Sequence, residues 1–239
     1  MLPFFEIIDA TWPAKSHHLA GGFDMRVGGD GIKRISCASL NGAFSNASID
    51  VAEAELTRLK QEPLFMVRPG LSDDEDALDA ALAARGYSVH DEVTVYHAPA
   101  AMLAADVPPV TAFAHWPPLQ ILRDLWNETG IGPARQSVMD RACAPKAAIL
   151  GRMQDRAAGG AFIAVSNGCA MIHAISVAPQ FRRQGLGKYL VQEAANWAVE
   201  VGATDFALVV TRENPANSVY QSLGMNRVCD YHYRLKDPK

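Results

Sequence analysis

The most informative stretch of the chain is ISVAPQFRRQGLGKYLVQ, residues 175–192. Its apolar strand pattern ends at Val177 and Pro179, and a pattern with helical spacing begins after Gly185. Gly185 and Gly187 allow a ligand to approach the backbone closely, where the first N–H groups of a helix have no partner inside the helix. These donors and the positive end of the helix dipole bind anions, so the stretch predicts a phosphate site.

Three basic residues, Arg182, Arg183 and Lys188, lie within seven residues of a chain whose net charge is −4. A Walker-type loop needs glycine at 182 and serine or threonine at 189, and a dinucleotide fingerprint needs glycine at 190. Position 182 is an arginine, and positions 189 and 190 hold Tyr189 and Leu190, so neither motif is present. The alternative to a phosphate site is a helix that begins at these glycines and whose basic end is simply solvated, without any ligand.

Strands and helices are predicted on both sides of this stretch. Turns are predicted at 155–159 and at Asn167-Gly168. In chain order the predicted elements are helices at 119–128 and 137–144, strands at 147–153, 160–166 and 169–177, a helix from 186 to Gly202, a strand at 205–211, a short helix at 217–223 and a strand at 227–235.

The first half of the chain begins with a hairpin signal. Two alternating stretches, 23–27 and 32–40, flank the sequence GGDG at 28–31. Two helices are then predicted by capping-box spacing, and the alternating stretch 91–98 predicts a strand. The first helix begins at the box Asp50/Glu53 and ends near Gln61, and the second begins at the box Ser72/Glu75 and ends before Gly86.

A proline-rich interval, 107–118, predicts a connector between a lobe at 1–106 and a lobe at 119–239. The two lobes end alike, since 82–98 and 220–236 both contain a helix pattern, a glycine, a bulky residue and an alternating strand. An internal duplication and a chance match of common elements both remain open.

Composition excludes several classes of protein. The chain has 239 residues, of which 49% are hydrophobic, so it can bury a sizeable core and is not a disordered or fibrous protein. It has 22 basic and 26 acidic residues, which argues against a dedicated nucleic-acid binder.

Location and metal content follow from what the sequence lacks. Residues 1–16 show no positively charged segment before an apolar core, which predicts no signal peptide, and no apolar run approaches the ~20 residues that cross a bilayer. The seven histidines show no metal-ligand spacing. We expect a cytoplasmic protein without metal or membrane partner, and with four reduced cysteines at Cys37, Cys143, Cys169 and Cys229.

Residues 175–192 resemble the cofactor motif of the GNAT superfamily of N-acetyltransferases, a hydrophobic strand, V-x-P and then [RQ]-x-x-G-x-[GA]. The matching residues are Val177, Pro179, Arg182, Gly185 and Gly187. The family's second motif follows the next predicted strand, with Met225 in place of the usual aromatic residue. Tyr220 is six positions after Asn214, where many members have a spacing of seven. The resemblance covers about residues 119–236, and the second motif stands as Asn214-Pro215-Ala216-Asn217, Tyr220 and Leu223-Gly224-Met225.

The resemblance implies the acyl-CoA N-acyltransferase fold, an α/β (α+β) chain with a mixed, mostly antiparallel central sheet flanked by helices. The first half looks like the degenerate repeat of tandem GNAT proteins. The implied co-substrate is acetyl-CoA, without a metal, and the implied reaction is direct acetyl transfer to an amine in a ternary complex. Acceptors would be small molecules, peptides or proteins, and a homodimer is compatible with the family. The alternative to an enzyme is a non-catalytic acyl-CoA-binding or regulatory module. A third interpretation, a purely structural interaction protein, predicts no CoA binding.

The resemblance also implies residue roles. Strands ending at Val177 and Val210 would splay apart, and a backbone N–H of the first would polarise the thioester carbonyl. Tyr220 would protonate the departing thiolate. The residues implied to contact the cofactor are Ile175, Ser176, Val177, Arg182, Arg183, Gln184, Gly185, Leu186, Gly187, Lys188, Asn214 and Asn217.

His173 is the candidate general base, because it lies on the predicted cofactor strand and imidazole titrates near neutrality. The surrounding residues resemble the arylalkylamine N-acetyltransferases, although Met171 stands where those proteins have a second histidine. A hydrogen-bonded core histidine is the structural alternative. Regular strand alternation would place His173 on the face of Ile175 and Val177. The acceptor pocket is expected from 119–145 and the first lobe.

Overall fold

The computed structural model describes residues 2–29 and 32–236. Its helices are α1 (Phe4–Thr11), α2 (Asn46–Arg58), α3 (Asp73–Ala84), α4 (Ala100–Leu103), α5 (Gln120–Glu128), α6 (Pro133–Arg141), α7 (Leu186–Glu200) and α8 (Asn217–Ser222). Its strands are β1 (Ser16–Ala20), β2 (Phe23–Val27), β3 (Ala38–Leu40), β4 (Leu64–Val67), β5 (Tyr87–Pro99), β6 (Ala112–His115), β7 (Lys146–Met153), β8 (Arg156–Ser166), β9 (Cys169–Val177), β10 (Asp205–Thr211) and β11 (Asn226–Lys236).

The chain forms two compact units, each assembled from separate segments. Unit 1 contains Met1–Pro13, Val95–Val210 and Asn214–Val228, and unit 2 contains Ala14–Thr94, Thr211–Glu213 and Cys229–Lys239. The predicted connector 107–118 contains strand β6 and lies within unit 1. The division into lobes at 1–106 and 119–239 stays a prediction about domain organisation.

Unit 1 contains a sheet in the order β5-β10-β9-β8-β7-β6. Strands β6, β7, β8 and β9 pair antiparallel in sequence, whereas β9 and β10 run parallel, because helix α7 crosses over between them. The predicted mixed, mostly antiparallel central sheet with flanking helices is therefore confirmed.

Helices α5 and α7 of unit 1 pack on opposite faces of this sheet. A Cβ built on Gly159 would lie 3.1 Å from Leu186 of α7, whereas one on the next residue, Gly160, would lie 2.2 Å from Leu122 of α5. Successive strand residues face opposite sides, so these two close approaches identify the two faces. The core beneath α7 includes Leu186 and Leu190, both fully buried.

Unit 2 contains strands in the order β1-β2-β3-β4-β11. Helices α2 and α3 place apolar residues at helical spacing against this sheet, and β3 and β4 are parallel. Its buried core includes Phe23, Ile49, Leu56, Phe65, Leu78, Leu82 and Tyr87.

The elements around residues 175–192 form as predicted. Strands β9 and β10 have the predicted bounds, 169–177 and 205–211, and α7 begins directly after Gly185. Gly202 adopts a positive φ of 86° after α7, as a helix-ending glycine does. In the first half, Ser72 caps α3 by accepting a hydrogen bond from the Glu75 N–H at 3.2 Å.

Several predicted boundaries are wrong, and strand β5 begins at Tyr87 instead of at 91. Residues 156–159 belong to β8 and the turn is at 154–155, because Gly159 serves close packing against α7. Helix α6 begins at Pro133 and ends at Arg141, so its predicted span of 137–144 was too late. Helix α2 begins four residues before the predicted box, since Ser45 is its N-cap residue and Asp50 is inside the helix, where it binds Arg85.

The predicted hairpin is only partly correct. Strand β2 does pair antiparallel with β3, Phe23 opposite Leu40, but a short 3-10 helix, Lys33–Ile35, precedes β3. The two-residue hairpin turn is at Gly21-Gly22, between β1 and β2. Part of the GGDG turn, 30–31, lies outside the described residues.

Candidate functional site

Strands β9 and β10 separate part-way along their length. They pair from Cys169 with Asp205 to Ile172 with Leu208, and both continue further, to Val177 and Thr211. Beyond Ile172, β9 no longer pairs with β10 along one edge, whereas its other edge still pairs with β8. Unpaired edges can bind an extended ligand by strand addition.

A β-bulge lies where the two strands separate. His173 pairs with Phe162 and Ser176 with Gly160, so two residues of β9 oppose one residue of β8. Within this bulge, Ala174 has a φ of +52°, a left-handed conformation that is unusual for a residue with a Cβ.

The bulge corrects the predicted face of His173. Residues directly opposite in an antiparallel pair point to the same side, so His173 and Ser176 share the face of Gly160, which is the α5 side. Ile175 and Val177 instead pack against the core beneath α7. The bulge breaks the alternation from which the sequence placed His173 with them.

The loop after β9 presents consecutive backbone donors. Among the described residues, the N–H groups from 183 to 187 have no hydrogen-bond acceptor, whereas the N–H of Lys188 already bonds to the Gly185 carbonyl. Arg183 and Gly185 adopt positive φ values of 58° and 89°, which turn the chain into α7. Consecutive free N–H groups at a helix N-terminus form an anion-binding concavity.

Gly187 has no structural reason to be glycine. A Cβ built on it would have no atom within 4 Å, and its φ is not positive. Gly185, by contrast, needs its positive φ. A glycine with open space over a set of free donors fits a ligand that comes close to the backbone.

Side chains around the loop divide into an exposed polar group and a buried apolar group. Arg182 is exposed and donates from Nε to the Val177 carbonyl at 3.0 Å, which holds its guanidinium beside the end of β9. Arg183 and Lys188 are exposed. Gln184 donates to the Gln180 carbonyl at 3.0 Å. The side chain of Leu186 is buried beneath α7, so only its backbone faces the loop.

Tyr220 lies in α8 with its ring 6.1 Å from that of Tyr96. Burial raises the pKa of Tyr220 to about 12, so the phenol is protonated at neutral pH. Its hydroxyl makes no hydrogen bond to another residue within 2–29 and 32–236.

Asn214 and Asn217 stabilise the turn that leads into α8. Asn214 Oδ1 accepts from the Ala216 N–H at 2.9 Å, and Asn217 Nδ2 donates to the Asn214 carbonyl at 2.7 Å. Asn214 is the more exposed of the two.

His173 is buried, with 5% of its surface exposed. Its Nε2 lies 2.9 Å from Thr11 Oγ1, and its ring lies 5.1 Å from Trp12 and 6.4 Å from Phe162. Sequence reasoning missed Thr11 and Trp12, because no local pattern connects the N-terminal segment with a strand some 160 residues later.

Ser176 places a second polar side chain, after His173, on the α5 side of the sheet. Its Oγ is buried and makes no hydrogen bond to any residue in the described part of the chain. An unpartnered buried hydroxyl is costly, at about 1–3 kcal/mol, and such groups are often explained by a ligand or an ordered water.

Neither a metal centre nor a membrane span is found in the described ranges. No cluster of three or more His, Cys, Asp or Glu side chains there could hold a metal ion. Over the same residues, no helix combines the length and apolar character needed to cross a bilayer.

Comparison with known proteins agrees with this geometry. Residues 118–225 match the family described as Acetyltransferase (GNAT) family. An uncharacterised N-acetyltransferase of Bacillus subtilis, YobR, is 32% identical over 75 residues, which is 31% of this chain and 30% of that protein.

Similar solved structures extend over both units. A GCN5-related N-acetyltransferase from Kribbella flavida superposes with a TM-score of 0.76 at 16% identity, covering 99% of this chain and 95% of that one. A tandem GNAT protein from the clavulanic acid biosynthesis pathway superposes with a TM-score of 0.57 at 13% identity, covering 91% and 78%. The family match therefore assigns residues 118–225 to the acetyltransferase (GNAT) family, and the likeness to these solved structures shows a shared fold.

Proposed function

We propose that the protein is a cytoplasmic N-acetyltransferase that moves the acetyl group of acetyl-CoA to an amine by direct attack in a ternary complex. The observation that carries this proposal is the open edge of β9, which ends at a loop of unpaired N–H donors. The acceptor is a small-molecule, peptide or protein amine, and no metal takes part. A homodimer is compatible with this proposal.

The residues present fit an acyl-CoA ligand. The donors from 183 to 187 suit a pyrophosphate, the open space at Gly187 suits its close approach, and the exposed cations Arg183 and Lys188 strengthen anion binding. Beyond Ile172, the edge of β9 that does not pair with β10 would offer its backbone amide groups to the amides of a pantetheine arm. Asn214 or Asn217 would contact the same ligand from the α8 side.

Acetyl-CoA, when bound, supplies the activated thioester. The chain supplies an N–H of β9, near Ile175, to the carbonyl oxygen as negative charge develops there. Loss of one such donor typically costs ~10²–10³ in rate. Because the bulge fixes the backbone where the strands separate, this donor is held in place before the reaction.

Two side chains are proposed to move protons. The Tyr220 hydroxyl, protonated and without a hydrogen bond to another described residue, donates to the departing sulfur. The attacking amine must be neutral, and His173 accepts its proton through water, because its side chain is buried. Ser176, on the same face and two ladder positions further along, is a candidate to hold that water.

The test is release of CoA thiol from acetyl-CoA in the presence of four probes: tyramine, putrescine, kanamycin and a peptide with a free N-terminus. We expect turnover with at least one probe and a loss of ~10²–10⁴ in kcat for Tyr220→Phe, with acetyl-CoA affinity within about 2-fold of wild type. Binding of acetyl-CoA without turnover on any probe would instead indicate a non-catalytic acyl-CoA-binding module.

A further inference from the structure

We infer that Thr11, at the end of helix α1, is a positioning residue for His173. It holds the neutral imidazole in the tautomer whose proton is on Nε2 and whose lone pair is on Nδ1. Both residues belong to unit 1, although 162 positions separate them in the chain.

The direction of the hydrogen bonds determines the tautomer. Thr11 Oγ1 lies 2.7 Å from the Ile7 carbonyl oxygen and 2.9 Å from His173 Nε2. A carbonyl oxygen can only accept, so a proton must lie between the two oxygens, and it comes from the hydroxyl. Oγ1 therefore presents a lone pair to Nε2, and the proton in that second hydrogen bond belongs to the imidazole.

The surroundings keep the ring in this contact. Thr11 has none of its surface exposed, so water does not compete for its hydroxyl. The imidazole stacks on Phe162 with an interplanar angle of 25° and lies 5.1 Å from the Trp12 ring. Exchange of the two ring nitrogens would require the histidine to turn between these aromatic side chains.

The consequence for catalysis rests on the proposed function. As the N–C bond forms and the C–S bond breaks, one proton leaves the amine and reaches His173 Nδ1 through water, and another passes from Tyr220 to the sulfur. Solvent later restores both groups. The Nε2–H bond to Thr11 is kept throughout, because Nε2 is a donor in both the neutral and the protonated ring. Thr11 thus leaves Nδ1 as the ring nitrogen that accepts the proton.

The tautomer can be measured directly by long-range ¹H–¹⁵N spectra of the full-length, ¹⁵N-labelled protein, recorded where His173 is neutral. A His173→Gln sample identifies its signals among the seven histidines. We expect Nε2–H in wild type and in Thr11→Ser, which keeps the hydroxyl, and a shift toward Nδ1–H in the similarly shaped Thr11→Val. A wild-type ring protonated on Nδ1, or a wild-type pattern in Thr11→Val, would overturn the inference.

A second arm separates this inference from the proposed function. Wild type that neither binds nor consumes acetyl-CoA refutes the proposed function and the catalytic part of the inference, whatever the tautomer. Where wild type does turn over, we expect Thr11→Val to lose part of the ~10²–10⁴ that a general base contributes, and Thr11→Ser to stay within about 3-fold. Equal kcat in Thr11→Val and wild type would show that Thr11 has no positioning role, and melting temperatures verify that both variants fold.

Discussion

At the scale of single residues, the Ser176 hydroxyl is held without a partner among the residues described, on the strand that we propose for acetyl-CoA. We predict that Ser176→Ala leaves the free energy of unfolding of the ligand-free protein unchanged or raises it by up to about 1–3 kcal/mol, because an unsatisfied polar group is removed. The same variant should lose part of the thermal stabilisation by acetyl-CoA.

Ser39 provides the matched control, since its buried Oγ accepts a hydrogen bond from Arg26 at 2.8 Å. Ser39→Ala should lower the free energy of unfolding, because it leaves the guanidinium without this acceptor. Urea titrations of both variants test the contrast. A loss of stability in Ser176→Ala as large as that in Ser39→Ala would contradict our interpretation of Ser176.

The raised pKa of Tyr220 predicts an alkaline loss of stability. Its folded pKa is about 12 and the ordinary value is 10.0, so between these values the unfolded chain binds fewer protons than the folded chain. The contribution of the neutral Tyr220 phenol to the free energy of unfolding is therefore complete below about pH 10. It falls by about 2–3 kcal/mol in total as the pH rises to about 12. Tyr220→Phe should show a shallower fall in stability over this range, measured by denaturant titration at several pH values. Equal slopes would contradict the raised pKa.

At the scale of elements, the β9 bulge lies where strands β9 and β10 separate. Ala174 has a left-handed backbone, which costs a residue with a Cβ about 1–2 kcal/mol. We predict that Ala174→Gly raises the free energy of unfolding by about 1 kcal/mol, and that Ala174→Val lowers it by more than that. Ala170→Gly, in the regular part of β9, should instead destabilise the protein. Chemical denaturation of the three variants measures these differences, and a stabilised Ala174→Val would show that the bulge is not strained.

The sequence predicts elements more readily than their irregularities. The bounds of β9 and β10 and the start of α7 follow from apolar patterns and from Gly185, which are local signals. The bulge has no such signal, because alanine at 174 is a residue that regular strands also contain. Because the bulge breaks the alternation, the prediction placed His173 on the wrong face, although it correctly placed the residue on strand β9.

At the scale of the whole molecule, the units combine segments that are distant in the sequence. The cofactor motif lies in unit 1, which also contains Met1–Pro13 and residues from Val95 onward. Periodicity and proline content predict a connector at 107–118, but they cannot predict that α1 packs against β8 and β9 of the same unit. That placement depends on long-range burial of Ile7 and Ile8, which no local pattern encodes.

This organisation predicts the behaviour of a fragment. The segment 119–239, taken alone, lacks α1, α4, β6 and the 95–99 part of β5, all of which belong to unit 1. We expect it to be unfolded or aggregated by circular dichroism and gel filtration, and not to bind CoA, whereas the full chain folds. A soluble fragment that binds CoA like the full chain would support the contiguous lobes that the sequence predicted.

The most direct measurement for the account as a whole is calorimetric binding of acetyl-CoA to wild type and to Gly187→Glu. A glutamate at 187 has room in the ligand-free protein but places a carboxylate over the unpaired N–H donors. Val199→Glu is the matched control, because it adds the same charge to an exposed position, 44% accessible, near the other end of α7. We predict micromolar or tighter binding by wild type and Val199→Glu, and a loss of at least ~100-fold in Gly187→Glu. The melting temperature of Gly187→Glu should not be lower than that of wild type, because a carboxylate near the free N–H donors stabilises the helix N-terminus. Failure of wild type to bind acetyl-CoA, or equal affinity in Gly187→Glu, would contradict the proposed site.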